Sequence, residues 1–293
     1  MPNKRSFFQA FLLLLVIAIL LTIACILLLE RWTPSISLTN KIGVIPIEGV
    51  ISSSINITSQ IEKFREDDSI KAIILRINSP GGAVAPTQEI YREIRKTIKK
   101  KKVVASIGGV GASGGYYIAS AATKIVANPG TITGSIGVII NFIQVKKLLS
   151  KLGIKFESLK SGEFKDMGAP YRDMTDKEKK LITQMLMEVK EQFVKAVSEG
   201  RHLPVKDVEK IADGRILLGS QAQRLGLIDK LGNFQDAVEL TKKLAHIKGK
   251  VKLVYPRYHR MSLFGRLVDD MVQRIIFKAD LPMLEYRLEN PIR

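Results

Sequence analysis

A glycine-rich stretch around Ser113 carries the residue best suited to nucleophilic chemistry. The apolar run Val103–Ile107 precedes it, and a second, mostly apolar run follows over Tyr116–Ala122. This order predicts a strand, a tight turn and a helix, with Ser113 at the helix N-terminus. Glycines at such a turn let another chain approach closely, and the N–H groups of the first helical turn stabilise negative charge. Ser113 therefore has two interpretations, a nucleophile or an ordinary helix cap.

A second glycine-rich turn follows the strand predicted over residues 71–77, and it contains Gly81 and Gly82. If Ser113 attacks a carbonyl group, the oxyanion that forms needs two preorganised hydrogen-bond donors. A Gly-Gly turn presents a backbone N–H with no side chain in the way. The N–H groups of Gly82 and Gly114 are the natural pair. The alternative is that the two glycines serve only to make a turn.

The general base is harder to identify from residue types. The chain has three histidines, His202, His246 and His259, and none of them lies in a turn beyond an apolar strand. A serine hydrolase can instead use a lysine whose amine stays neutral because burial lowers its pKa. Lys165 lies among small and apolar residues just past a strand-like segment at 154–160. The alternative is a solvated surface lysine, since lysines are rarely buried.

Strand and helix patterns alternate through the part of the chain that carries these residues. Strands are predicted over 42–51, 71–77 and 103–107, and helices over 55–64 and 87–100. The strand over 71–77 is almost continuously apolar, as expected when both faces of a sheet are covered. This order predicts an α/β fold with a largely parallel sheet. Active sites in such sheets gather beyond the carboxyl ends of the strands, where Gly82 and Ser113 both lie.

The amino-acid composition of the chain excludes some classes of function. The chain has 293 residues and a net charge of +18, but no zinc-ligand spacing, helix-turn-helix signature or aromatic-studded basic motif. We therefore predict no nucleic-acid partner and a basic surface that faces anionic lipid. Cys25 is the single cysteine, which excludes intrachain disulfides and thiolate metal sites.

The N-terminal region predicts a membrane anchor. Residues 10–29 are almost entirely apolar, and as a helix they would cross about 30 Å of hydrocarbon. Lys4 and Arg5 precede them, so the positive-inside rule places residues 1–9 in the cytoplasm and the rest outside it. Residues 30–40 would form a linker. A cleaved signal peptide is the competing interpretation, but the apolar run is longer than the usual 7–15 residues and no cleavage site follows it.

Four motifs occur in a characteristic order within residues 44–240: Asn78–Gly82, Gly111–Tyr117, Thr133–Val138 and Phe164–Asp166. Together they resemble the signal peptide peptidase family SppA in its short, single-repeat bacterial form. The resemblance implies a Ser/Lys dyad in which Ser113 is the nucleophile and Lys165 the general base. It also implies that Gly82 and Gly114 are the oxyanion donors and that Ser135 is a hydroxyl that orients the lysine. No metal ion or other cofactor is implied.

The same resemblance implies a crotonase-like, ClpP-related fold, a spiral of strand-strand-helix units over residues 41–250, preceded by one transmembrane helix. It further implies an oligomer in which neighbouring subunits share each dyad, located at the bacterial cytoplasmic membrane with the catalytic domain outside the cytoplasm. The expected substrates are released signal peptides and other extended, apolar peptides. A crotonase-type acyl-CoA enzyme and a catalytically inactive membrane scaffold are the alternative functions.

The C-terminal extension, residues 251–293, mixes basic and bulky apolar residues and lies outside the motif match. Three interpretations stay open for it. It lies on anionic lipid, it occupies the cleft of a neighbouring subunit as a peptide, or it packs as a terminal helix.

Overall fold

The computed structural model of the protein describes residues 13–25, 40–256 and 285–287. The chain divides into two compact units, Met1–Thr39 and Asn40–Arg293. The predicted peptidase domain over 41–250 falls within the second unit.

In the first unit, residues 13–25 form helix α1, and its large apolar side chains are exposed. Within the described residues, no helix is both long enough and apolar enough to cross a membrane. The remaining residues of the predicted anchor at 10–29 lie outside the described residues, as do the predicted cytoplasmic residues 1–9. The anchor therefore stays a prediction.

A mostly parallel sheet forms the centre of the second unit. The described strands are β1 (Lys41–Glu48), β2 (Ile70–Ser79), β3 (Gly81–Ala83), β4 (Lys102–Ala112), β5 (Lys124–Ala127), β6 (Ile132–Gly134), β7 (Ile216–Leu218), β8 (Lys230–Leu231), β9 (Lys252–Val254) and β10 (Glu285–Arg287). Eight of the described strands form one sheet in the order β7-β6-β4-β2-β1-β9, with β5 paired to β4 and to β8. Each pairing in it is parallel except that of β6 with β7. The predicted α/β class with a largely parallel sheet is confirmed.

Helices cover both faces of this sheet. They are α2 (Ile55–Glu66), α3 (Val84–Thr97), α4 (Gly114–Ser120), α5 (Lys146–Lys151), α6 (Asp176–Arg201), α7 (Val205–Glu209), α8 (Gly219–Arg224) and α9 (Phe234–Leu244). Successive side chains of a strand point to opposite faces. In β2, Ile73 and Leu75 belong to the large core beneath α3 and α4, whereas Ile74 belongs to a smaller core with Val238 of α9. This two-sided burial explains the nearly continuous apolar pattern of β2.

Two differences from the sequence prediction have a clear physical reason. Helix α3 begins at Val84 rather than near Thr87, because Pro86 is tolerated in the first turn, where backbone N–H groups have no helical partner anyway. Residues 154–160 form no strand, and all of them are exposed. No strand of the described residues pairs with that segment, so its alternating pattern has no sheet to join.

The connections that leave the carboxyl ends of β2 and β4 lie side by side. Near these ends the ladder between the two strands shifts register, so that Ser79 pairs with Gly111. Strand β2 continues through β3 into α3, and β4 turns directly into α4. Strand β3 also pairs antiparallel with β10, near the C-terminus of the chain. Both glycine-rich turns predicted from the sequence are therefore brought to one edge of the sheet.

Candidate active site

Ser113 lies in the turn between β4 and α4 and is 1% exposed. Its backbone angles are φ 52° and ψ −119°, close to those of the first central residue of a type II′ turn, which glycine usually occupies. The side chain makes no capping hydrogen bond to the helix. A strained serine at a sharp strand-to-helix turn is the geometry of hydrolase nucleophiles. The interpretation of Ser113 as an ordinary helix cap does not fit this geometry.

Main-chain hydrogen bonds hold this turn in place. The Ser113 N–H donates to the Gly134 carbonyl over 2.8 Å, and the Tyr117 N–H donates to the Ser113 carbonyl over 2.8 Å. The first bond joins the turn to the neighbouring strand β6, and the second closes the first turn of α4. The strained conformation is therefore fixed by backbone on both sides.

Two glycines let the β2–β3 connection press against the start of α4. A Cβ atom on Gly81 would lie 2.6 Å from the Gly114 nitrogen, and one on Gly115 would lie 2.6 Å from the Ser79 carbonyl oxygen. Both distances are shorter than real Cβ contacts, so only hydrogen fits at either position. The glycine-rich sequence is thus required by the close approach of two backbone segments beside Ser113.

The direction of the Gly82 N–H follows from its neighbours. The Ile51 N–H donates to the Gly81 carbonyl, and the Ala83 N–H donates to the Ile51 carbonyl, each over 2.8 Å. Because backbone groups alternate in direction along an extended strand, the N–H of Gly82 points away from Ile51. It faces the cleft that adjoins Gly114. Donors of this kind are what an oxyanion at Ser113 would need.

Ser135 follows β6, beside the nucleophile turn. Its φ is 51°, its side chain is 7% exposed, and its N–H donates to the Arg215 carbonyl over 2.8 Å. Ala112 at the end of β4 pairs with Gly134 at the end of the parallel strand β6. Ser113 and Ser135 are the residues that directly follow this pair. The structure brings these two predicted residues together.

Lys165 lies elsewhere on the surface, in a turn over residues 161–168. Its side chain is exposed, and its amino group forms no hydrogen bond or ion pair with any described residue. In the single chain, the described contacts do not bring Lys165 to Ser113. The predicted dyad is therefore not assembled within one copy of the protein.

A network of charged side chains, which the sequence did not predict, stabilises the turn that contains Lys165. Arg172 donates to both carboxylate oxygens of Asp166, over 2.7 and 2.8 Å, and to the Glu178 carboxylate over 2.9 Å. These bonds hold the pKa of Asp166 well below its usual range and lower that of Glu178 to about 2. Glu178 also accepts the Thr175 N–H as part of the capping box that begins α6. No sequence pattern indicates the connection between this capping box and Asp166.

Several large apolar side chains are exposed in the part of the chain that precedes Lys165, among exposed lysines. In α5 and the segment after it, Leu148 is 55% exposed, Leu152 63%, Phe156 61% and Leu159 95%. Large apolar side chains exposed together on a surface often mark an interaction site. In residues 13–25, 40–256 and 285–287, no group of His, Cys, Asp or Glu side chains is placed to hold a metal ion.

The fold and the candidate site together indicate a class of enzyme. A mostly parallel sheet presents a strained serine at the end of one strand, beside a glycine turn whose N–H faces the same cleft. That combination is the arrangement of a serine hydrolase that works by acyl transfer.

Comparisons with known proteins identify the family. The family model of peptidase family S49 matches residues 95–248, and the family model of Clp protease matches residues 30–131. A candidate protease of Methanocaldococcus jannaschii is 39% identical over 72% of this chain and 67% of its own. A candidate protease of Synechocystis is 41% identical over 73% of this chain and 78% of its own. The candidate signal peptide peptidase SppA of Enterococcus faecium is 40% identical over 64% of this chain and 55% of its own.

The chain belongs to peptidase family S49 and is a serine peptidase. The predicted resemblance to SppA is confirmed. Of the functions that the sequence left open, the peptidase is the one that the comparisons support.

Proposed function

We propose that this peptidase hydrolyses released signal peptides and other extended apolar peptides with Ser113 as nucleophile and Lys165 of a neighbouring copy as general base. The observation that carries the proposal is the contrast between the two residues. Ser113 is buried in a strained turn beside two glycine N–H groups, whereas Lys165 is exposed, in a turn that follows a segment with several exposed large apolar side chains. A second copy of the chain that covers this surface would shield the amine, which favours its neutral form.

The reaction would proceed through an acyl-enzyme. Neutral Lys165 takes the proton of the Ser113 hydroxyl, and the oxygen attacks the peptide carbonyl while Gly82 and Gly114 stabilise the oxyanion. The C–N bond then breaks, and the lysine passes its proton to the leaving amine. Water attacks the ester and releases the acid. Ser135 would orient the lysine by accepting or donating a hydrogen bond.

The pairing edge of strand β3 favours an extended peptide as the substrate. Strand β3 pairs antiparallel with the extended residues 285–287, and an extended peptide can pair with the same edge as an added strand. A folded protein offers no such free strand. The proposed anchor at residues 10–29 would hold the catalytic unit at the outer face of the cytoplasmic membrane, where signal peptides are released. Protease protection in intact and opened spheroplasts tests this placement, and a catalytic unit protected by intact spheroplasts would contradict it.

Hydrolysis by single variants tests the dyad. We expect Ser113→Ala and Lys165→Ala each to reduce kcat for an apolar fluorogenic peptide by at least about a thousandfold. The matched control for Ser113→Ala is Ser120→Ala, which removes a buried hydroxyl from the last residue of α4. The matched control for Lys165→Ala is Lys151→Ala, which removes an exposed lysine from the end of α5. Circular dichroism checks that each variant is folded. Turnover that persists in folded Ser113→Ala would contradict the proposal.

A further inference from the structure

The ladder between β1 and β2 lacks one hydrogen-bond donor at its carboxyl end. The two strands are parallel with Glu48 opposite Asn78, and the Gly49 N–H donates to the Asn78 carbonyl over 3.0 Å. In a parallel ladder, a residue that donates to one partner residue accepts from the residue two positions further along the partner. The Gly49 carbonyl should therefore accept from residue 80. That residue is proline, which has no N–H.

The Ser79 hydroxyl supplies the missing donor. It donates to the Gly49 carbonyl over 2.6 Å, and its oxygen accepts the Gly81 N–H over 3.1 Å. Ser79 is the last residue of β2 and is completely buried. Its single hydroxyl proton is used on the sheet, and its oxygen is used on the glycine turn. One side chain thus joins the end of the ladder to the first residue of β3.

Gly81 needs this anchor because of its own conformation. Its φ is 100°, in the region that only glycine adopts freely. Its carbonyl accepts the Ile51 N–H over 2.8 Å, so the Ser79 oxygen holds one side of the residue and Ile51 the other. The Gly82 N–H belongs to the same planar peptide group as that carbonyl and points the opposite way. Its direction is therefore set by the two contacts of Gly81.

Gly81 also lies against the second proposed oxyanion donor. A Cβ atom on Gly114 would lie 3.1 Å from the Gly81 Cα, and one on Gly115 would lie 2.6 Å from the Ser79 carbonyl oxygen. Close packing of this kind transmits a shift of one backbone segment to the other. A displaced Gly81 would therefore move both donors relative to Ser113.

We infer that Ser79 is a positioning residue for the oxyanion site, and that its hydroxyl fixes the direction of the Gly82 N–H by holding Gly81. The inference rests on the proposed function of Ser113. The hydroxyl is buried and bonds two backbone groups, so it acts on the donors and not on the bound peptide. The oxyanion forms only in the transition state. Loss of the hydroxyl therefore lowers kcat and leaves KM unchanged.

Steady-state kinetics measure this split. We expect Ser79→Ala to reduce kcat for an apolar fluorogenic peptide by about ten- to thirtyfold, with KM within about twofold. The loss is smaller than for a deleted donor, because the Gly82 N–H is misdirected rather than removed. Ser106→Ala is the matched control, since it removes a buried hydroxyl of the neighbouring strand β4 that bonds the Arg76 side chain instead. Equal kcat values for the two variants, or a change in KM alone, would overturn the inference.

A matched pair of inhibitors tests the oxyanion site directly. With a trileucine peptide aldehyde, the Ser113 oxygen bonds to the aldehyde carbon, the serine proton passes to the base, and the carbonyl oxygen becomes an oxyanion. The corresponding peptide alcohol has no carbonyl group at that carbon and forms no adduct. We expect Ser79→Ala to raise Ki for the aldehyde by at least about tenfold and to leave Ki for the alcohol within about twofold. Equal changes for the two compounds would show a merely structural role and contradict the inference.

A restored backbone donor separates the two bonds of the hydroxyl. In a Ser79→Ala, Pro80→Ala double variant, residue 80 gains an N–H that can donate to the Gly49 carbonyl, whereas the Gly81 N–H still lacks its acceptor. We expect kcat to stay at or below the value of Ser79→Ala. Recovery to the unmodified value would show that the contact with Gly49 alone matters, and would refute the role assigned to the Gly81 contact.

Amide exchange separates this inference from the proposed function. In a Ser113→Ala background, which lacks the nucleophile, mass spectrometry follows hydrogen–deuterium exchange at single residues. We expect Ser79→Ala to speed exchange at Gly81 by at least about tenfold and to leave exchange at Ile74, in the centre of β2, within about twofold. Unchanged exchange at Gly81 would overturn the inference whether or not the enzyme is active. Faster exchange at Gly81, together with equal Ki values of aldehyde and alcohol for the unmodified protein, would instead contradict the proposed function alone.

Discussion

The two halves of the proposed active site are built in opposite ways. On the nucleophile side, Ser113 and the glycines beside it are buried and are fixed by backbone hydrogen bonds within one chain. On the base side, the turn that carries Lys165 is exposed, although Arg172 ties it firmly to the start of α6. In the proposed site, a single chain therefore completes one half and presents the other half on its surface. An inactive isolated copy and an active assembly would both follow from this arrangement.

Among variants that keep both Ser113 and Lys165, the largest effect is expected from matched glycine substitutions, one in each half. A Cβ on Gly82 would lie 2.2 Å from the Ile51 carbonyl oxygen, whereas one on Gly162 would have no atom within 4 Å. We expect Gly82→Ala to displace an oxyanion donor and reduce kcat by about a hundredfold or more. Gly162→Ala should leave kcat within about twofold, as exposed substitutions usually do. Peptide hydrolysis and thermal melts of both variants are the measurements, and equal losses would contradict the comparison.

A smaller effect on kcat is expected when the contacts that hold the Lys165 turn are removed. Arg172→Met leaves two acidic groups without their main partner, so the turn with Lys165 should become less ordered. We expect kcat to fall by about tenfold with KM unchanged, because the nucleophile cleft is untouched. Lys160→Met, which removes a single hydrogen bond to Asp166, is the control and should have a smaller effect. A change in KM rather than kcat would show that the network acts on the substrate cleft instead.

The smallest effect is a pH dependence of stability on the same side. Ion pairing lowers the pKa of Glu178 from 4.5 to about 2, and that of Asp166 is lowered as well. A carboxyl group whose folded pKa is depressed stabilises the fold above its unfolded pKa, and this stabilisation is lost as the pH falls through the folded pKa. Between about pH 4.5 and 2, the free energy of unfolding should therefore fall more steeply for the unmodified protein than for Arg172→Met. Urea unfolding at a series of pH values measures this, and parallel curves would contradict it.

Sequence alone predicted the strand, turn and helix around Ser113 well because their signals are local. An apolar strand, a run of small residues and an apolar helix lie next to one another around Ser113, and the structure has β4, a strained turn and α4 there. The two tyrosines that follow the turn at Ser113 are both buried. Tyr116 donates to the Leu227 carbonyl within the core, whereas Tyr117 stacks on Tyr286 in the cleft.

The base half was less accessible to sequence reasoning because its contacts are not local. Lys165 was singled out chiefly by family resemblance, and the strand expected before it at 154–160 does not form within one chain. Strand β10 illustrates the same limit, since the contact of Tyr286 with Gln88 spans 198 residues. No periodicity or turn signal records a contact at such separation.

Subunit mixing tests most directly the claim that the two halves come from different copies. Folded Ser113→Ala and Lys165→Ala chains, each expected to be inactive alone, are mixed one to one under conditions that exchange subunits. If each site takes its serine from one chain and its lysine from the next, we expect recovery of about a quarter of the unmodified activity, since that share of adjacent pairs is intact. No recovery in oligomers that native mass spectrometry shows to contain both chains would contradict it.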